Sequence, residues 1–91
     1  MSYEIRFTES YTKRAAKFFK KHPELKERYA KTLYLLQDNP FHPSLRLHKL
    51  KGSLAEYHSV SIDMSYRITI DFVIEDGVIV PIDIGGHDDV Y

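Results

Sequence analysis

Residues 57–86 read YHSVSIDMSYRITIDFVIEDGVIVPIDIGG, and their patterning decides the fold class. Tyr57, Ser59 and Ser61 alternate with His58, Val60 and Ile62, the period-two pattern of a strand with one buried face. Tyr66 to Val73 is rich in β-branched and aromatic residues, and Val78 to Ile84 is almost continuously apolar. Glu75-Asp76-Gly77 makes a hairpin turn between them, because glycine takes positive φ without a Cβ clash. Met64 or Ser65 falls in the preceding turn. Three strands joined by short turns predict an antiparallel meander.

Upstream, Tyr3-Glu4-Ile5-Arg6-Phe7 alternates in the same way and predicts a first strand. Thr8 or Ser10 then caps a helix, its side-chain oxygen accepting from an orphan backbone amide. Tyr11, Ala15, Phe18 and Phe19 form the apolar stripe of that helix, with Lys13, Lys17, Lys20 and Lys21 mostly off it. His22-Pro23 breaks the helix, and Pro23 suits the first position of the next. Leu25, Tyr29, Leu33 and Leu36 give the second helix its stripe, which Asp38-Asn39-Pro40 ends. Residues 41–52 read as a basic connector closing on a Gly52-Ser53 turn. The expected fold is α+β in the order β-α-α-β-β-β: an antiparallel four-stranded sheet under a helical hairpin, in one domain over residues 1–91.

Composition narrows the function classes. The 91 residues include no cysteine, which removes disulfides and thiolate metal sites. No apolar run reaches membrane-spanning length, and the N-terminal stretch has no signal-peptide apolar region, so a soluble cytoplasmic protein is expected. The net charge of zero hides a division: residues 1–51 carry 12 Lys/Arg against five Asp/Glu, a balance of +7, and residues 52–91 carry one against eight, a balance of −7. A basic half facing an acidic half makes a dipolar molecule, and the basic half suits a polyanion. Lysine-rich helix faces are also ordinary solvated surface.

Three clusters remain once the core positions are set aside: Leu47 to Gly52, Tyr66-Arg67, and Gly85 to Tyr91. In a three-stranded meander, the first and third clusters can approach one another. Metal-free RNA cleavage needs a base for the 2′-hydroxyl proton, an acid for the leaving 5′-oxygen, and a cation for the phosphoryl oxygens. Histidine serves either proton role near neutrality, arginine offers a planar fork to phosphate, and aromatic rings stack bases. His48, His87, Arg67, Tyr66 and Tyr91 are those residue types. Each also has a plainer use: His48 as loop surface, Arg67 as a partner of Asp63 or Asp83, and Tyr66 as a core or rim aromatic. His87-Asp88-Asp89 contains metal-ligating types, but three adjacent ligands without a second cluster make a weak metal signal. Gly85-Gly86 permits a sharp turn and close approach of another chain.

The same residues resemble the RelE/ParE superfamily of toxins, and most of all its YafQ-type messenger-RNA interferases. The resemblance spans the chain and rests on Leu50-Lys51-Gly52, Tyr66-Arg67-Ile68, and the ending Ile84-Gly85-Gly86-His87-Asp88-Asp89-Val90-Tyr91. It implies an endoribonuclease that cuts messenger RNA in the ribosomal A site against 16S and 23S ribosomal RNA, silenced by a cognate antitoxin, with no cofactor and no metal. It further implies catalytic roles for His48, Arg67, His87 and Tyr91, and RNA contacts from Lys49, Lys51 and Tyr66. His87 matches the proton-transferring C-terminal histidine of YafQ-like members, and Tyr91 their terminal aromatic. His48 falls where they place another histidine, and Arg67 matches a phosphate-contacting arginine of the RelE and YoeB types. Ser61 and Ser65 stand where some YafQ-like members have histidine and aspartate. Two other readings keep the fold: a ParE-type inhibitor of DNA gyrase, and a non-catalytic module that only binds antitoxin.

Overall fold

The computed structural model describes residues 3–73 and 76–86. In chain order the elements are β1 (Glu4–Ile5), α1 (Glu9–Lys21), α2 (Lys26–Asp38), β2 (His48–Lys49), β3 (His58–Ser61), β4 (Tyr66–Val73) and β5 (Val78–Gly86). Single 3-10 turns at Pro23–Leu25, Pro43–Leu45 and Gly52–Leu54 punctuate them.

Local chemistry sets the helix boundaries. Thr8 caps α1, its Oγ1 accepting from the Tyr11 amide at 3.1 Å, so the nearer of the two candidate caps is used. Lys20 and Lys21 occupy the last turn of α1, where cations offset the negative end of the helix dipole. Pro23 opens the 3-10 turn that leads into α2, because its missing N–H costs nothing there. Asn39 leaves helical geometry and ends α2 before Pro40.

The sheet has five strands in the order β1-β5-β4-β3-β2. The central three form the expected antiparallel meander. Two features depart from the four-stranded antiparallel expectation. β1 pairs with β5 in parallel, Glu4 opposite Val78 and Ile5 opposite Ile79, because the helical hairpin carries the chain across the sheet before the meander starts. The basic connector contributes β2, which pairs antiparallel with β3, His48 opposite Ser59 and Lys49 opposite His58. Two residues are too few to show a periodicity, and a short edge carrying Lys49 also protects the sheet from further pairing.

The hairpin side of the sheet carries the core. Val60, Ile68, Ile70 and Ile79 are fully enclosed with Tyr11, Leu36 and Leu45. Truncating a buried leucine such as Leu36 to alanine costs roughly 2–5 kcal/mol. Phe19 and Tyr29 join the two helices ring to ring at 4.8 Å, and the Tyr11 and Tyr29 hydroxyls share a hydrogen bond of 2.8 Å. Between Thr69 and Ile70 the β4–β5 register shifts: Thr69 faces Asp83 but Ile70 faces Pro81, leaving Ile82 as an extra residue. That bulge keeps Ile79 and Ile84 both in the core although they lie an odd number of residues apart.

Candidate active site

Alternation along a strand puts successive side chains on opposite faces. With Val60, Ile68 and Ile70 toward the hairpin, Ser59, Ser61, Arg67 and Thr69 belong to the other face. The register assembles them into two rows. One runs His48, Ser59, Thr69, and the next runs Ser61, Arg67, Gly85; at the bulge Asp83 meets Arg14 of α1 instead. Cross-strand partners in such rows share a face. Arg67 thus lies opposite the glycine that precedes Gly86 and, in sequence, His87. His87 and Tyr91 themselves lie outside the described residues.

His48 sits on the exposed edge strand, where a hydrogen bond sets the chemistry of its ring. Its Nδ1 lies 3.0 Å from the Arg46 carbonyl oxygen, and a carbonyl only accepts. The proton therefore sits on Nδ1, and Nε2 is the basic nitrogen. Arg46 presents that carbonyl from the left-handed region, φ 50°, an uncommon conformation for a residue with a Cβ. Lys49, Lys51 and His48 line one groove with Leu50 and Gly52, so three of the seven residues singled out in sequence come together. Gly52 has φ +67°, which turns the chain at the end of that groove.

Three strand spacings of roughly 4.8 Å separate β2 from β5, so His48 and the end of β5 stand on the order of 14 Å apart across the sheet. The two clusters share a sheet, but the intervening strands set their separation. Tyr66 goes elsewhere. It packs edge-on against Phe18 at 5.4 Å and meets the His22 ring at 4.7 Å, on the hairpin side, while its neighbour Arg67 turns to the other face. The two carboxylates weighed as partners of Arg67 have other contacts. Asp63 Oδ1 accepts the Ser65 and Tyr66 amides, both at 2.8 Å, and Asp83 faces Arg14 at 3.5 Å.

Sequence reading missed several contributors. Ser59 and Thr69 face one another in the first row, and both are buried with hydroxyls that meet no described hydrogen-bond partner. Their signal was present: Ser59, Ser61, Arg67 and Thr69 place polar groups at every second position of two adjacent strands. His58, opposite Lys49, stacks edge-on to Phe72 at 5.7 Å. Burial, then the Lys49 and His48 charges, hold its pKa below the ordinary histidine value, while Asp71 opposes them. His58 is thus a neutral neighbour of His48. Among the described residues, no group of three or more His, Asp and Glu side chains is arranged to hold a metal ion. No described helix is long and apolar enough to cross a membrane.

No protein-family model and no curated protein sequence matches the chain. Solved structures do. YafQ from Escherichia coli is similar at 15% identity over 98% of both chains, with a TM-score of 0.78. The E. coli DinJ–YafQ toxin–antitoxin complex contains a chain similar at 17% identity over 100% of this chain and 99% of that one, TM-score 0.77. The RelBE2 toxin–antitoxin complex of Mycobacterium tuberculosis is similar at 19% identity over 96% and 100%, TM-score 0.62. Identities this low speak to the backbone: the chain has the RelE-like toxin fold along nearly its whole length.

Proposed function

We propose that this protein is the toxin of a toxin–antitoxin pair and that it cleaves messenger RNA without a metal. The observation that carries the reading is the His48 ring, whose Nδ1 is tied to the Arg46 carbonyl so that Nε2 is the base, in a groove with Lys49 and Lys51. In the proposed reaction Nε2 takes the 2′-hydroxyl proton and the 2′-oxygen attacks the adjacent phosphorus. The bond to the 5′-oxygen breaks, leaving a 2′,3′-cyclic phosphate, and the departing oxygen receives a proton. By the family resemblance His87 supplies that proton, and Tyr91 and Tyr66 position the nucleotides. Arg67, half-buried on the face away from the hairpin, offers its fork to the phosphoryl oxygens as charge develops. Imidazole serves either proton role, so exchanging base and acid between His48 and His87 leaves the products unchanged.

In-line attack by the 2′-oxygen needs the message held in one geometry, which suits a larger scaffold. The A site of the ribosome, with 16S and 23S ribosomal RNA around it, is the scaffold proposed, which places the protein in the cytoplasm. The relatives solved with DinJ and in RelBE2 support a cognate antitoxin as the regulating partner. Exposed Lys49 and Lys51 in the connector suit an acidic chain that orders as it binds and covers the His48 groove.

Primer extension on a translated message tests the reading. The wild-type protein is expected to generate discrete cuts that persist in EDTA, and His48→Gln and His87→Ala to lose them while remaining folded. Undiminished cutting by folded His87→Ala, or no cutting of any translated or free message by the wild type, refutes it.

A further inference from the structure

A second cationic surface lies on the hairpin side, away from Arg67. Arg14, Lys17, Phe18, Lys21 and His22 fall at helical spacing on one face of α1. They line a groove against Ile84 and Gly85, near the end of β5. Arg14 is engaged with Asp83 at 3.5 Å, and the His22 ring faces Glu24 at 3.7 Å. Lys17 and Lys21 make no ion pair with any described residue, and both are exposed. Beside them is a cluster of three rings, Phe18, His22 and Tyr66, with centroids 4.6–5.4 Å apart, each half-buried. Phosphate-sized charge and a flat ring surface thus adjoin.

We propose that this groove is a subsite for a nucleotide flanking the cut, its phosphates held by Lys17 and Lys21 and its base stacked on the Phe18–His22–Tyr66 cluster. The inference rests on the reading of the protein as an RNA-cleaving toxin and extends it: the strand passes over the end of β5 from the Arg67 face to the α1 face. Tyr66 pairs with Gly86, and Arg67 with Gly85, so consecutive residues of β4 open onto the two faces at that point. Acidic peptide satisfies the lysines but gains nothing from the rings, whereas a nucleotide uses both. Gly85 is buried at the junction of the two faces.

A short single-stranded DNA oligonucleotide isolates binding from cleavage, since it lacks the attacking 2′-hydroxyl. Fluorescence anisotropy over a salt series is expected to show Lys17→Ala/Lys21→Ala binding about tenfold more weakly, its log–log salt slope shallower by about 1.4, two phosphates at about 0.7 each. Lys13→Ala/Lys20→Ala removes the same charge from the same helix and is expected to change affinity less than threefold. His22→Ala is expected to weaken binding about tenfold with the slope unchanged. Equal losses in the two lysine pairs overturn the subsite, as does wild-type binding by the Lys17/Lys21 pair. Poly-glutamate displacing the oligonucleotide as effectively per charge as unlabelled DNA also overturns it, in favour of a peptide site. Primer extension separates this inference from the cleavage reading. Groove variants that bind DNA normally in a protein that cuts message overturn the subsite alone. Groove-dependent binding in a protein that cuts nothing overturns the reaction alone.

Discussion

Replacing Tyr11 with phenylalanine removes one oxygen from the centre of the molecule and should make two stability curves cross. Tyr11 is 1% exposed and shares a 2.8 Å hydroxyl–hydroxyl hydrogen bond with the half-buried Tyr29. Losing that bond costs about 1 kcal/mol near neutrality, since the Tyr29 hydroxyl still reaches water. At alkaline pH the effect reverses. Burial first, then the neighbouring Tyr29 and Asp83, push the Tyr11 phenol far above the ordinary value of 10.0. The folded chain therefore keeps it protonated while the unfolded chain releases the proton. A folded-state pKa raised in this way gives stability that is whole below pH 10 and is lost as pH rises beyond it. By pH 11.5 the unfolded phenol has gained about 2 kcal/mol from ionisation, which phenylalanine cannot gain. Other groups, Tyr29 included, titrate in both proteins. Wild type should therefore be the more stable by about 1 kcal/mol at pH 7 and the less stable by about 1 kcal/mol at pH 11.5. The crossing falls near pH 10.6, to about half a unit. Urea titrations followed by circular dichroism from pH 7 to 11.5 measure it. A stability difference that stays constant across the range refutes the placement of the Tyr11 hydroxyl in a closed core.

His58 has its pKa held down by burial, so its stabilising contribution is present above the ordinary histidine value and falls away as pH drops through 6.5. Wild type should lose stability between pH 7 and 5 more steeply than His58→Gln, as thermal melts at fixed ionic strength will show. Gly77 turns β4 into β5 at φ +65° with open space where a Cβ would stand. Gly77→Ala should cost about 1 kcal/mol and Gly77→Asn distinctly less, because the penalty is backbone strain rather than collision. Arg67→Lys keeps the charge and loses the fork, so single-turnover cleavage should slow about a hundredfold while RNA affinity stays within a few-fold.

The helices and the meander were legible because their signals are local and repeated. Tyr11, Ala15, Phe18 and Phe19 announce a face of α1, and Thr8 a boundary. The partner and direction of β1 are not local properties, since Glu4 meets Val78 from the far end of the described chain. β2 was missed because two polar residues carry no alternation. At the site, residue chemistry was legible and geometry was not. His48 and Arg67 were identifiable as types, but the Arg46 carbonyl that selects the His48 tautomer follows from a left-handed backbone at a non-glycine residue. The assignment of Tyr66 to base contact and its alternative as a rim aromatic could not be separated by sequence, because both need the same ring. The structure puts that ring among Phe18 and His22, where both uses are compatible.

The parallel ladder between β1 and β5 also bears on how the protein is made. Synthesis runs from the N-terminus, so β1 and both helices emerge before the strand they dock on. β5 lies between β1 and β4 and is also a main packing surface of α1. Until Val78 to Gly86 arrive, the sheet is divided and the apolar stripe of α1 lacks its main strand partner. Closing a contact between residues 4 and 78 then requires nearly the longest loop the described chain allows. Assembly is thereby deferred until β5 has emerged, and the half-made chain lacks the strand on which both the Arg67 row and the α1 groove depend.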